Sequence, residues 1–202
     1  MRKIFSVLVL ALNSCAGVYQ YEFKMIKPQE SDKLIFEDEL IKADFSVNKS
    51  DISFSMKNKS SKAIKIIWDD CAFVNNGEAF KIIHKEVKFL DKEKSQVPTT
   101  IPPNSLLKDL VAPIENINMN YYYSKYNTHI SWTKAPLLGN HVSQSKSYIR
   151  KYMLPMKERK LALFIPVNID GQKHDYMFEF AINDIRIYKT KTNNKSIFET
   201  SL

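Results

Sequence analysis

Apolar and polar side chains alternate, one for one, along much of this chain. Ile41, Ala43, Phe45 and Val47 are separated by Lys42, Asp44 and Ser46, and Ile52, Phe54 and Met56 by Ser53 and Ser55. Successive side chains of an extended strand point to opposite faces, so each segment reads as a half-buried strand and not as a helix stripe. The pattern returns at Ile64, Ile66 and Trp68. It is clearest at Leu161, Leu163, Ile165, Val167 and Ile169, and again at Tyr176, Phe178, Phe180 and Ile182.

Turn residues punctuate these runs. Asn48 to Asp51 and Asn58 to Ser61 are polar turns. Asn75-Asn76-Gly77 and Asp170-Gly171 stand between apolar runs, where a two-residue hairpin turn needs positive φ at both central positions. Lys85 to Leu90 reads as a continuing strand before the polar loop Asp91 to Gln96. Pro98 to Ser105, with three prolines, reads as an extended edge and turn. Leu106 to Val111 and Thr128 to Thr133 read as strands, and Ser147 to Met153 as a short surface helix. Asn116 to Ser147 is the least regular part. Short strands at roughly ten-residue spacing predict an all-β fold, an antiparallel two-sheet β-sandwich over residues 34–188. It resembles the immunoglobulin-like sandwiches of exported bacterial lipoproteins, an architectural likeness that brings no site residues with it. The chain from 189 to 202 is a polar tail.

The amino terminus has the parts of an export signal. Met1-Arg2-Lys3 is cationic, and the uncharged apolar run from Ile4 to Leu12 has about half of the roughly 20 residues that a transmembrane helix needs. It is a removable signal helix, residues 1–14. Leu12-Asn13-Ser14-Cys15 resembles the lipobox of bacterial lipoproteins. The resemblance implies cleavage between Ser14 and Cys15 and a diacylglycerol thioether on the Cys15 sulfur; Asn13 is an uncommon residue at its position. An ordinary secretory cut after Ala16 is the competing reading. Two or three acyl chains give a stable anchor where one gives only marginal binding. Ala16, a residue other than Asp after the Cys, implies an outer membrane location facing the periplasm or the cell surface. Residues 15–33 are assigned to the lipidated terminus and a tether, although Tyr19, Tyr21 and Phe23 could instead belong to a first strand.

The formal charge of +8 includes Arg2 and Lys3, and charges of both signs are interspersed. Basic stretches such as Lys157 to Lys160 read mainly as solvated surface, with weak attraction to anionic headgroups or polysaccharide as the functional alternative. Export excludes nucleic acid as a partner. With Cys15 lipidated, Cys71 has no intramolecular disulfide partner, so no disulfide framework is expected. Beside Trp68 and Phe73 it reads as a buried small hydrophobe.

Candidate chemistry is sparse. Cys71 and His84 lie on the two arms of the expected Asn-Gly hairpin, with Asp69 and Asp70 near enough to orient the histidine, and are the one pairing that resembles an activated nucleophile. His84, His129, His141 and His174 are scattered, without HExxH or CxxC spacing, so no metal or cofactor is expected. Tyr121, Tyr122, Tyr123 and Tyr126, with Trp132 nearby, form an aromatic cluster suited either to capping the core or to binding a partner protein or glycan. The reading is a lipid-anchored, non-enzymatic envelope protein that binds another envelope component. An envelope hydrolase or thiol enzyme using Cys71 and His84, and a purely structural assembly subunit, are the alternatives.

Overall fold

The computed structural model describes residues 17–123, 125, 127–138 and 149–189. The signal peptide, Cys15, Tyr126, His141 and the tail after Lys189 lie outside the described residues. The strands, in chain order, are β1 (Gly17–Lys27), β2 (Ile35–Glu37), β3 (Ile41–Val47), β4 (Ile52–Asn58), β5 (Ile64–Ile66), β6 (Ala72–Asn75), β7 (Glu78–His84), β8 (Thr99–Ile101), β9 (Leu106–Pro113), β10 (Ile117–Tyr123), β11 (Thr128–Lys134), β12 (Lys160–Ile169) and β13 (Gln172–Lys189).

All pairings are antiparallel. The main sheet follows the order β1-β13-β12-β6-β7-β9-β4-β3-β2, with β5 beside β12 and β8 beside β5. The all-β antiparallel expectation therefore holds, and the strands follow one continuous path without a clear division into two sheets. β7 pairs through Glu78–Lys81 with β6 and through Ile82–His84 with β9, joining the two halves into one sheet. The ends of the path, β1 and β2, are neighbours in sequence, and Met25 exchanges two backbone hydrogen bonds with Ser31 between them, at 2.9 and 3.0 Å. The result is a barrel-like, nearly closed sheet.

One core fills it. Alternate residues of every strand of this sheet enter a single buried cluster, from Met25 on β1 to Ile182 on β13. Phe45 meets Phe178 at 4.4 Å and Phe180 at 5.4 Å between ring centroids, and Phe36 meets Phe178 edge-on at 5.6 Å. Burying each such ring contributes about 1.5–3 kcal/mol, and edge or tilted pairs about 0.5–1.5 kcal/mol more. Two polar side chains of this interior are hydrogen-bonded. Asn58, fully buried, donates to the carbonyls of Lys62, Ile101 and Pro102 and accepts from Ser60, stitching the β4–β5 turn to β8. The Tyr176 hydroxyl donates to Asp38 at 2.9 Å, and burial together with that carboxylate pushes its pKa up.

The turns follow the sequence. Asn76 and Gly77 have φ of 52° and 88°, and Asp170 and Gly171 have 52° and 83°, the left-handed pair that these hairpins require. Several expectations change. Residues 17–27, inside the stretch assigned to the tether, form β1 along β13, because Tyr21, Phe23 and Met25 alternate onto the core. The β region thus begins before residue 34, and β13 runs to Lys189. Lys85 to Leu90 is not a strand. The Lys85 N–H bonds to the Asp109 side chain, ending the β7 ladder, and the chain turns through Val87 and the 3-10 turn Phe89–Asp91, leaving Leu90 76% exposed. Within the stretch expected to be least regular, Ile117–Tyr123 and Thr128–Lys134 pair as a hairpin. The expected surface helix is a single π turn, Ile149–Met153, continued by a 3-10 turn, Leu154–Glu158, and Met153 is fully buried.

Candidate functional site

Among the described residues, β10 and β11 pair only with each other. Cross-strand pairs Ile117↔Lys134, Met119↔Trp132, Tyr121↔Ile130 and Tyr123↔Thr128 share one face; Asn118↔Thr133, Asn120↔Ser131 and Tyr122↔His129 share the other. One face is thus largely apolar from base to tip, while the other is polar, with Asn120 donating to the Thr133 hydroxyl at 2.9 Å.

The base is firmly held. Ile117 is buried with Ile83, Ala112 and Ile114, and Trp132 packs on this group, its ring 5.9 Å from that of Phe89. Lys92 Nζ donates to the carbonyls of Ile114 and Ile117 at 3.2 and 3.1 Å. Lys134 forms an ion pair with Asp51 in the β3–β4 turn, and the Ala135 N–H closes on the Asn116 carbonyl at 2.7 Å.

Outward from this base the same face emerges into water. Met119 and Ile130 are exposed, Tyr121 is 48% exposed, and Tyr123 reaches 80% with its ring stacked 6.4 Å from that of Tyr121. Tyr122, on the opposite face, is 58% exposed and lies beside His129. Of the expected aromatic site, Tyr121, Tyr122 and Tyr123 are therefore brought together on an exposed arm, Trp132 belongs to its base, and Tyr126 falls outside the described residues. An isolated two-stranded hairpin is marginally stable in water, and among the described residues neither edge of this one pairs with another strand. Aromatic rings on such an arm offer a large contact area at low entropic cost.

The sequence held two signals for this arm. Ile117, Met119, Tyr121 and Tyr123 do alternate with Asn118 and Asn120, but Tyr122 hides the period. After Glu115, the next acidic residue is Glu158.

The second candidate, Cys71 with His84, assembles differently from the expectation. His84 Nδ1 lies 3.1 Å from Asp109 Oδ2, both side chains are buried, and the His84 ring stacks on Trp68 at 4.3 Å. Asp109 is the orienting carboxylate, not Asp69 or Asp70. Asp69 instead accepts from the Ser95 hydroxyl and the Gln96 N–H, which together hold its pKa below the usual carboxylate range. Gln96 in turn bonds the β7 backbone, donating to Ile82 O at 2.7 Å and accepting from His84 N at 3.2 Å. No hydrogen bond joins Cys71 to His84; the thiol faces the Ile67 carbonyl at 3.5 Å. Burial, reinforced by Asp70 and Asp69, pushes the thiol up to about 12. A thiolate nucleophile needs the opposite shift. Among the described residues no cluster of His, Cys, Asp and Glu is arranged to hold a metal ion, and no helix is long and apolar enough to cross a membrane.

Comparison with known proteins finds no matching family model and no matching curated protein. A solved structure described as "Crystal structure of protein from Archaeoglobus fulgidus" is similar over 78% of this chain and 98% of its own, at 11% identity and a TM-score of 0.26. A likeness that loose assigns neither family nor function.

Proposed function

We propose that the chain is a non-enzymatic lipoprotein of a bacterial envelope, held at a membrane through Cys15 and binding another envelope component through the tip of the β10–β11 hairpin. The observation that carries the binding role is the apolar hairpin face, buried at Ile117 and exposed from Met119 to Tyr123. The anchoring role rests on the Leu12 to Cys15 motif and the apolar run before it. Ala16 supports the outer membrane, facing the periplasm or the surface. The finer fold reading treats β1-β13-β12-β6 with β5 and β8 as one layer of an immunoglobulin-like sandwich, and β9-β4-β3-β2 as the other. β7 is then the corner strand that switches layers at Ile82, as strands do in orthogonally packed sheets.

Two measurements in bacterial cells test the function. Labelled palmitate should enter the wild-type chain and not Cys15→Ala; label persisting in the variant removes the anchor. A photocrosslinking amino acid at position 122 should give discrete adducts that the same group at the still more exposed position 90 does not. Identical patterns at both positions remove the hairpin as the binding element.

A further inference from the structure

We infer that the hairpin's partner is the anionic lipid surface itself, with Tyr121, Tyr122 and Tyr123 lying among the headgroups; this rests on the binding role proposed above and names its partner. The strand register is the starting point. The β3–β4 turn, the β6–β7 turn, the hairpin base and the start of β12 all lie at one end of the barrel: Asp51 meets Lys134, Asn75 donates to Leu137 O, and the Asn76 N–H meets Lys160 O. Lys160 pairs with Ala181, and beyond that point β13 runs on, pairing Asp184–Lys189 with Glu22–Gly17 of β1. At about 3.4 Å per residue this ribbon extends the same end by roughly 25 Å. The chain that precedes Gly17, with the proposed lipid-bearing Cys15, therefore leaves the fold at the end that carries the hairpin. A barrel held by that segment has its hairpin end toward the bilayer.

The surface chemistry of this end agrees. From Asn116 to Lys134 the sequence has no Asp or Glu, and exposed Lys125 sits at the tip. The turns leading into β12 add exposed Lys151, Tyr152 and Leu154, with Lys157 paired to Asp184 beside the ribbon. Asp51 is likewise neutralised by Lys134. Exposed Glu78, Glu115 and Glu158 flank strands of the rim and are absent from the arm. Tyrosine and lysine together are the composition of a headgroup layer: the ring lies among the glycerol and phosphate groups, and the amine reaches anionic oxygen. Among the described residues the outer edges of the hairpin pair with no other strand, and backbone groups left so find partners in wet headgroups but none in hydrocarbon, so the arm stops at the interface.

Sedimentation of the full-length chain with lipid vesicles tests this. Every variant retains the amino-terminal segment, so differences report the hairpin. Wild type should bind vesicles rich in phosphatidylglycerol about tenfold or more tightly than does Y121S/Y122S/Y123S, and lose affinity as salt screens the lysines. Lys125→Glu should weaken binding to anionic vesicles and leave binding to pure phosphatidylcholine unchanged. With Tyr123→Trp, bromine near the headgroups should quench the new emission more than bromine deep in the acyl chains. Equal binding of wild type and the triple variant overturns the proposal, as does stronger deep quenching. So does tip-dependent self-association, or tip-dependent binding to dextran sulfate, without vesicle binding. If these vesicle results fail while discrete position-122 adducts to a protein or glycan persist in cells, the broader binding role survives and only the lipid assignment falls.

Discussion

Two aromatic regions of this protein, each with a histidine, have opposite environments. Around Trp68 the rings are sealed: His84 stacks on the indole, Asp109 takes its Nδ1, Thr99 accepts the indole N–H at 2.8 Å, and Gln96 completes the backbone bonds of β7. On the β10–β11 hairpin, Tyr122 lies beside His129 while Tyr121 and Tyr123 stack on the opposite face, and all three rings are exposed to water. Composition does not separate these regions. Strand pairing does, because β7 pairs with both β6 and β9, whereas among the described residues the hairpin has no neighbour beyond itself. A histidine between aromatic rings is a packing element in the first region and part of an accessible surface in the second.

The contrast is sharpest for stability. Trp68→Ala should cost about 3–5 kcal/mol in denaturant unfolding, since the indole is fully buried. A loss below 1 kcal/mol would mean that the region is not core. Asp109→Ala strands the buried His84 ring nitrogen and the N–H groups of Lys85 and Leu110, and about 1–3 kcal/mol should be lost. An unchanged melting curve would break the account of how the β7 ladder ends.

Cys71 gives a pH test. Its folded pKa, about 12, lies above the ordinary value of 9.0, so the unfolded chain releases the proton first as pH rises. The associated stability is complete below about 9 and declines as pH climbs toward 12. Cys71→Ala should flatten that decline relative to wild type. In the native protein the Cys71 peptide should resist alkylation at pH 8, read by mass spectrometry; rapid labelling would restore the thiol-enzyme alternative.

The smallest effect belongs to the arm. Tyr122→Ala and Tyr123→Ala should each change stability by less than about 0.5 kcal/mol, as exposed substitutions do. A loss comparable with that of Trp68→Ala would move the tyrosines into the core and dissolve the comparison.

The sequence by itself determined the antiparallel strands and the two hairpin turns. Alternation and left-handed Asn-Gly and Asp-Gly pairs act over a few residues, and no distant contact is needed to express them. It also marked Tyr121 to Tyr123 as candidates, with the tyrosines favoured for the surface and Trp132 for the core, as they lie. Three things waited for the tertiary structure. The end of β7 was invisible because the group that stops it, Asp109, is distant in sequence. Asp109, rather than Asp69 or Asp70, as the carboxylate on His84 follows from β7 pairing with β9. The joining of both halves into one curled sheet depends on a single strand, β7, dividing its hydrogen bonds between two partners. Local pattern fixes which side of a strand is apolar, but long-range pairing decides what that side meets, because the partner's identity is not encoded in the strand's own residues.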